Sequence, residues 1–172
     1  MEKENDISGI SFSFKEETGN IWEYEDAGML AVFVAASCNF RHGLPQVFKV
    51  RYGINEVPCE WAGAGRCIVC NNVLLLVISQ YDGESVYIEN LKTALAQMKD
   101  FAIANGIKKI IIPQYGGLEE WTRVKNVIMD VCGGAVFEVI AVVPEEKIEG
   151  RVMDPDTEKQ LYKKGLIDRY YI

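Results

Sequence analysis

Apolar runs of strand length recur along the chain and mark the centre of a β-sheet. Met29 to Ala36 is a continuous run, which is typical of a central strand covered on both faces, and Val73 to Gln80 is a second largely apolar strand. A third run, Ile110 to Ile112, ends at Pro113. These three segments predict the buried strands of one sheet.

Three other stretches have helical spacing of their apolar residues. They are Leu44 to Tyr52, a long segment from the N-cap Ser85 to Asn105, and a segment that opens on Glu119. Gly53 and Gly106 directly follow the first two, as is common where helices end. The chain therefore predicts at least three amphipathic helices among the strands.

The remaining strands complete a mixed sheet. Ile10 to Phe14 alternates apolar and polar residues, and Ala135 to Val143 is a final apolar strand. Asn71-Asn72 separates Arg66 to Cys70 from the strand at Val73, which predicts a tight antiparallel hairpin because asparagine tolerates left-handed geometry. The order of elements predicts a three-layer α/β/α domain with a mixed central sheet.

The length of 172 residues fits one domain with an appendage. We assign residues 1–144 to the α/β/α domain and residues 145–172 to a C-terminal extension. The extension is highly charged, but it carries apolar residues such as Leu161, Leu166 and Tyr171. We therefore expect it to dock on the domain rather than to be disordered.

The net charge of −7 narrows the range of partners. A nucleic-acid backbone or an anionic membrane needs a basic face, so we expect neither as a direct partner. A small anionic ligand remains compatible, because oriented backbone amides can hold one. The acidic N-terminus has no apolar run and no signal peptide, and we predict a cytoplasmic protein.

The cysteine and histidine content argues against a metal centre. The five cysteines are an odd number, as expected for free thiols in a reducing compartment. Cys67 and Cys70 form a CxxC, but residues three apart in a strand face opposite sides of the sheet. Since His42 is the only histidine, we predict no metal site, and we predict no cofactor.

The segment from Lys108 to Val131 is the most informative part of the chain. A buried strand leads through Gly116 and Gly117 into a helix start, where backbone N–H groups point outward. In open α/β sheets ligands bind beyond the carboxyl ends of strands, where this turn falls. We predict the ligand site here.

The order and spacing of four segments resemble those of the macro domain, and in particular the terminal ADP-ribose protein glycohydrolase subgroup. The segments are Gly19 to Trp22, Phe48 to Gly53, Tyr87 to Leu91, and Ile112 to Gly117. The resemblance covers roughly residues 10 to 143. It implies an α/β/α fold that binds ADP-ribose or a related nucleotide, such as a cyclic or phosphorylated NAD derivative.

The resemblance also implies where the parts of such a nucleotide would bind. Asn20, with Ile21, stands where macro domains place an aspartate against the adenine amino group. The amide oxygen of Asn20 can accept from that amine, while its NH2 group adds a donor. The two walls of the phosphate cleft and the position after the fourth strand supply the remaining ligand-binding residues: Ser37, Asn39, His42, Gly43, Leu44, Gln80, Gln114, Tyr115, Gly116, Gly117, Leu118 and Glu119.

The catalytic residues of the subgroup are only partly present. The subgroup uses a lysine after the fourth strand, where this chain has Ser79 and Gln80, and no lysine lies between Arg66 and Lys92. Without an amine the covalent mechanism is not available. Glu120 falls near the subgroup's acid and is the one catalytic candidate, although acids in a first helical turn also simply complement the helix dipole.

Three functional hypotheses remain open. The first is a module that binds an ADP-ribose-type nucleotide, either free or attached to a macromolecule. The second is a hydrolase for ADP-ribosyl or phosphate-monoester bonds that uses Glu120 as its base. The third is a degenerate macro domain that acts through protein contacts. The sequence does not indicate an oligomeric state.

Overall fold

A computed structural model describes residues 12–36, 43–54, 63–80 and 86–144. The strands are β1 Ser13–Thr18, β2 Met29–Ala35, β3 Arg66–Cys70, β4 Val73–Ser79, β5 Lys109–Pro113 and β6 Glu138–Val143. The α-helices are α1 Gly43–Tyr52, α2 Ile88–Ala104 and α3 Leu118–Cys132, and a short 3-10 helix spans Ile21–Tyr24. The predicted alternation of strands and helices is confirmed.

The six strands form a single mixed sheet in the order β1-β6-β5-β2-β4-β3. All neighbouring pairs are parallel except β3 and β4, which form the antiparallel hairpin. Five strands therefore point the same way. Their carboxyl ends lie along one edge of the sheet, and this edge carries the predicted site.

Each face of the sheet buries its own hydrophobic core. On one face α2 and α3 pack against the sheet, with Leu91, Leu95, Met98 and Trp121 among the buried side chains. On the other face α1 and the 3-10 helix pack, with Ile21 and Phe48 buried against the strands. The central strands are apolar throughout because both of their faces are covered. The predicted three-layer α/β/α architecture is confirmed.

The hairpin follows its prediction in detail. Asn71 and Asn72 both adopt positive φ, at 49° and 69°, as a tight turn of this type requires. The side-chain amide of Asn71 also donates to the carbonyl oxygens of Tyr52 and Gly53, at 2.9 and 3.0 Å. The turn therefore holds the end of α1 against the sheet.

The two cysteines of the hairpin face opposite sides of the sheet, as their spacing predicts. Cys67 packs against the core beneath α2 and α3, and Cys70 packs against the core beneath α1. Burial raises the pKa of the Cys67 thiol to about 12, so it is a packing residue and not a reactive thiolate. Within the part of the chain that the structure describes, no cluster of acids, cysteines and histidines could hold a metal ion.

The first and last strands differ from their predicted bounds by several residues. The predicted end of the first strand at Phe14 is wrong, because parallel pairing with β6 runs in register from Ser13 with Glu138 to Thr18 with Val143. The last strand begins at Glu138 rather than Ala135. Gly134, at a φ of +86°, turns the chain after α3, and the Ala135 N–H still bonds to the Cys132 carbonyl.

The start of α2 also differs from its prediction. This helix begins at Ile88, after Tyr87 in the N-cap position, and the predicted cap Ser85 lies outside the described residues. The proposed extension, residues 145–172, lies outside them as well, so the boundary at 144 stays a prediction. Among the helices that the structure describes, none is long and apolar enough to cross a membrane.

We predict that Gly28→Ala destabilises the fold. A Cβ at residue 28 would lie 2.6 Å from the carbonyl oxygen of Lys109, so β2 and β5 could not approach as closely at their starts. We expect a loss of about 1–3 kcal/mol in the free energy of unfolding, measured with urea.

Gly117→Ser is the matched control. A Cβ at residue 117 meets no atom within 4 Å, and serine is a good helix N-cap. Its stability should stay within about 0.5 kcal/mol of wild type or rise slightly. Equal stability of the two variants would contradict the close approach of the strands.

Candidate functional site

The turns after β1 and β5 flank the end of β6 at the carboxyl edge of the sheet. The Gly19 N–H donates to the Val143 carbonyl at 2.9 Å, and the Gln114 N–H donates to the Val142 carbonyl at 3.1 Å. Two strand spacings separate these turns, which is about 10 Å. Asn20 and the glycine turn at Gly116 therefore lie on the same edge of the sheet.

A cavity of about 170 Å³ opens farther along this edge, between β2, β4, β5 and the start of α1. An engineered cavity of roughly 150 Å³ is enough to hold a benzene ring, so this one is large enough for a single five- or six-membered ring. The described residues that line it are Val32, Phe33, Val34, Ala35, Leu44, Pro45, Ile78, Ser79, Pro113, Gln114 and Tyr115.

An irregularity in the sheet forms one wall of the cavity. Val34 pairs with Val77 but Ala35 pairs with Ser79, so β4 has one extra residue, Ile78, at this point. The Ala36 N–H then bonds to the Ser79 carbonyl at 2.8 Å. Such bulges bend a strand and re-aim its side chains next to binding sites.

The bulge decides which residue at the end of β4 reaches the cavity. Ser79 lines it and is only 7% exposed, which makes it the one buried polar residue found in the described part of the chain. Gln80, the residue predicted from the sequence, has an exposed side chain and is not among the residues lining the cavity that the structure describes. Ser79 is not among the ligand-binding residues that the sequence predicts. The available signal was a small polar residue at the end of an apolar strand.

The glycine turn after β5 has the shape that the sequence predicts. The Gln114 side chain donates to the Gly116 carbonyl at 3.1 Å, and Gly116 has a φ of +72°. Tyr115 packs edge-on against Phe33, with ring centroids 5.3 Å apart, and borders the cavity. Gly117 is the N-cap of α3, and no side chain caps this helix start within the described residues.

The first turn of α3 contains the predicted acids. Leu118 is 80% exposed, and Glu119 is exposed as well. The Glu120 carboxylate accepts from Arg123 at 3.0 Å, and Arg123 also donates to the Val86 carbonyl at 3.1 Å. Glu120 is not part of the described cavity wall. In this geometry Glu120 stabilises the start of α3 through its ion pair with Arg123.

The Glu120 stem also covers the glycine turn. A Cβ at residue 116 would lie 3.0 Å from Cβ and Cγ of Glu120. The glycine turn after β5 and the first turn of α3 are thus packed closely together. Gly116 is required both by its positive φ and by this contact.

Asn20 lies at the other end of the edge and caps the 3-10 helix. Its Oδ1 accepts the Trp22 N–H at 3.0 Å, and the Glu23 carboxylate accepts the Asn20 N–H at 3.4 Å, which completes a capping box. Ile21 is buried in the core beneath α1. Asn20 is therefore the N-cap of the 3-10 helix, and its part in ligand binding stays a prediction.

An aromatic and ionic cluster holds the 3-10 helix against α1. The Trp22 ring packs on Phe48 at a centroid distance of 5.0 Å, and the Arg51 guanidinium lies 4.7 Å above it. Arg51 binds both carboxylate oxygens of Glu25, at 2.8 and 3.1 Å, and the Tyr52 hydroxyl donates to Glu25 at 2.5 Å. The bonds from Arg51 and Tyr52 hold the Glu25 pKa below its usual range. Burial, followed by the bond to Glu25, raises the Tyr52 pKa to about 12.

The loop between β2 and α1 is described only at its end. Ser37, Asn39 and His42 lie outside the described residues, so their part in the site stays a prediction. Gly43 begins α1, and Leu44 lines the cavity. Of the predicted cleft wall from Ser37 to Leu44, the structure therefore describes only the start of α1, at Gly43 and Leu44.

The mixed six-stranded sheet between two helical layers is the architecture that the macro-domain resemblance implies. The predicted resemblance is confirmed at the level of the fold. No family model and no curated protein sequence matches the chain. The evidence for the fold comes from solved structures.

The macrodomain of Thermus aquaticus DarG is one such structure. It is 18% identical, with a TM-score of 0.65 over 76% of this chain and 98% of that one. A macrodomain protein from Streptomyces coelicolor is 19% identical, with a TM-score of 0.57 over 78% and 100%. Thermosipho africanus DarTG, solved in complex with ADP-ribose, is 18% identical, with a TM-score of 0.61 over 88% of this chain and 46% of that longer one.

We predict a pH-dependent loss of stability in Glu25→Gln. Because the pKa of Glu25 is lowered in the folded state, its ion pair stabilises the fold above the unfolded pKa of about 4.3 and is lost as pH falls below it. At about pH 7 the variant should be less stable by up to ~1 kcal/mol, since the pair is partly exposed to solvent.

The difference should shrink as pH falls through the lowered folded-state pKa of Glu25, as measured by urea unfolding at neutral and at successively more acidic pH. Asp26→Asn, at an exposed neighbouring carboxylate, serves as the control and should show neither effect. A Glu25→Gln deficit that stays constant across this range would contradict the role of the ion pair.

Proposed function

We propose that the protein binds ADP-ribose or a closely related NAD-derived nucleotide along the carboxyl edge of its sheet. The observation that supports this most directly is the alignment of three features on one edge. They are a ring-sized cavity, a helix start without a side-chain cap, and the turn at Asn20. A ligand that uses all three must be elongated, with a ring at one end, an anionic centre and a second ring.

The spacing of the strands supports this choice of ligand. From β1, which leads to Asn20, to β2, which walls the cavity, there are three strand spacings, or roughly 14 Å. A nucleoside diphosphate sugar has two ring systems joined by a diphosphate and matches this extended form. A mononucleotide would reach only part of the edge.

The start of α3 supports an anionic centre. The first N–H groups of a helix have no partner within the helix, and they favour negative charge. Gly117 leaves space around the helix start, since a Cβ there would meet no atom within 4 Å. A diphosphate can therefore approach the backbone, and the net charge of −7 does not prevent binding through N–H groups.

The structural comparisons support the same ligand class. One similar structure, that of Thermosipho africanus DarTG, is a complex with ADP-ribose. The shared macrodomain fold and the cleft at the carboxyl edge make the same class of ligand the best hypothesis for this chain. The nucleotide could be free or attached to a macromolecule.

Binding without turnover is better supported than hydrolysis. The residues at the end of β4 are Ser79 and Gln80, and neither can form a Schiff base with a sugar. The Glu120 carboxylate is paired with Arg123 at 3.0 Å, and Glu120 does not belong to the described cavity wall. The cleft therefore has the shape for the ligand without a poised nucleophile or base among its described residues.

We predict that the cavity accounts for a difference in affinity between ADP-ribose and ADP. Isothermal titration should show tighter binding of ADP-ribose, because only it carries the terminal sugar. Ser79→Leu fills the cavity and should bring the affinity for ADP-ribose down to that for ADP. The affinity for ADP itself should stay unchanged and serves as the internal control.

Ser79→Val adds less volume and should show a smaller effect in the same direction. Thermal unfolding of both variants verifies that they are folded. Absence of any heat with millimolar ADP-ribose would contradict the proposed function. Equal losses for ADP-ribose and ADP in Ser79→Leu would place the terminal sugar elsewhere.

We predict no release of ADP-ribose from an ADP-ribosylated protein. Wild type and Glu120→Gln should both bind ADP-ribose and both leave the modified protein intact, as read by loss of label over hours. Release by wild type that Glu120→Gln abolishes, with binding retained, would instead establish the hydrolase hypothesis with Glu120 as base.

A further inference from the structure

We propose that Glu16, on β1, is a positioning residue for the ligand, because it holds the first turn of α3 where the diphosphate would bind. The inference rests on the proposed function and adds a residue that lies outside the described cavity wall. Glu16 does not touch the ligand in this proposal. It acts through Trp121, which lies in the first turn of α3.

The first hydrogen bond of α3 determines which of its N–H groups are available to a ligand. The Trp121 N–H donates to the Gly117 carbonyl at 2.8 Å. The N–H groups of the three preceding residues, Leu118, Glu119 and Glu120, have no partner within the helix. Trp121 therefore joins these free N–H groups to the rest of the fold.

Both oxygens of the Glu16 carboxylate hold this part of α3. Oε1 accepts the Trp121 indole N–H at 3.3 Å, and Oε2 accepts the Lys125 ammonium at 2.7 Å. Residues 121 and 125 are about one helical turn apart and share a face. Trp121 is only 2% exposed, so its indole N–H depends on Glu16 as acceptor. The bonds from Lys125 and Trp121 hold the pKa of Glu16 below its usual range, so the carboxylate is charged at neutral pH.

The start of α3 is held from two sides, and Glu16 supplies one of them. β1 is an edge strand of the sheet, and Glu16 pairs with Ala141 of β6. On the other side, Arg123 donates to the Val86 carbonyl, just before α2, at 3.1 Å. Loss of Glu16 removes the attachment to β1 and leaves the helix start free to shift towards α2.

Such a shift would affect a bound diphosphate while the protein stays folded. The inner face of α3 remains buried through Val124, Val127 and Ile128, so the helix as a whole stays packed on the sheet. Hydrogen bonds, however, weaken steeply as their geometry departs from linear. The affinity for the diphosphate should therefore depend on Glu16. ADP-ribose and ADP share that group, so both should respond equally.

The experiment measures the affinities of ADP-ribose and ADP for Glu16 variants by isothermal titration. Glu16→Leu removes both bonds to α3 and should weaken the binding of both nucleotides about fivefold, the size of one hydrogen bond. Glu16→Gln keeps an oxygen for the Trp121 indole N–H, and it should bind both nucleotides within about twofold of wild type. Recovery of affinity in the conservative variant would show that the contact, and not the charge, positions the helix.

Trp121→Phe tests the same contact from the helix. Phenylalanine retains an aromatic ring at the buried position but has no N–H, so this variant should also lose about fivefold in affinity for both nucleotides. Adding Glu16→Leu to it should weaken binding little further, because the two substitutions remove the same hydrogen bond.

Glu138→Leu is the matched control. Glu138 begins β6 and is paired with Lys15 at 3.1 Å, at the opposite edge of the sheet from the candidate site. Its loss removes an ion pair of the same edge strand but should leave both affinities unchanged. Thermal unfolding verifies that each variant is folded at the temperature of the titration, and if Glu16→Leu does not fold, Trp121→Phe decides the outcome.

The outcomes separate this inference from the proposed function. If neither nucleotide binds wild type, the proposed function fails, and the inference fails with it. If wild type binds and Glu16→Leu and Trp121→Phe bind equally well, the nucleotide site stands and the inference is overturned. Equal losses in Glu16→Leu and Glu138→Leu would also overturn it, because general destabilisation would explain both. A loss for ADP-ribose alone would overturn it too, since Glu16 would then act on the terminal sugar.

Discussion

The parallel pairing of β6 with both β1 and β5 is the constraint on which the arrangement of the candidate site depends. β6 lies between them in register, and its last residues accept the N–H groups of Gly19 and Gln114. Because all three strands run the same way, the turns that follow β1 and β5 emerge at one edge. Antiparallel pairing of either strand would move its turn to the opposite edge, and no single ligand could then contact both.

The two cores make it possible for this edge to remain open. Each central strand is buried on both faces, so the sheet does not rely on its carboxyl edge for stability. That edge can therefore accommodate irregular features, such as the extra residue Ile78 in β4 and the turn at Gly116. The Glu120–Arg123 pair and the Asn20 cap restore local order where the cores do not reach.

The sequence predicted the features that local pattern determines. Apolar runs identified β2, β4 and β5, helical spacing identified the buried face of α2, and the two asparagines identified the hairpin. Features that depend on distant pairing were missed. The extent of β1 is set by its register with β6, and the choice between Ser79 and Gln80 is set by one extra residue in β4. A shift of one residue reverses the side of the sheet that a side chain faces, and the local sequence does not show where such a shift occurs.

Residue 20 shows why the fold and the ligand must be considered separately. A helix cap needs only an oxygen that accepts an N–H, and asparagine and aspartate supply it about equally well. Folding therefore places no preference on the second atom of that side chain, which is NH2 in asparagine and oxygen in aspartate. The same holds for the end of β4, where a small polar residue is accommodated beside a bulge whatever the cavity holds. At both positions the structure is insensitive to a chemical difference to which a ligand would respond, so these are the positions where ligand specificity can change while the fold stays the same.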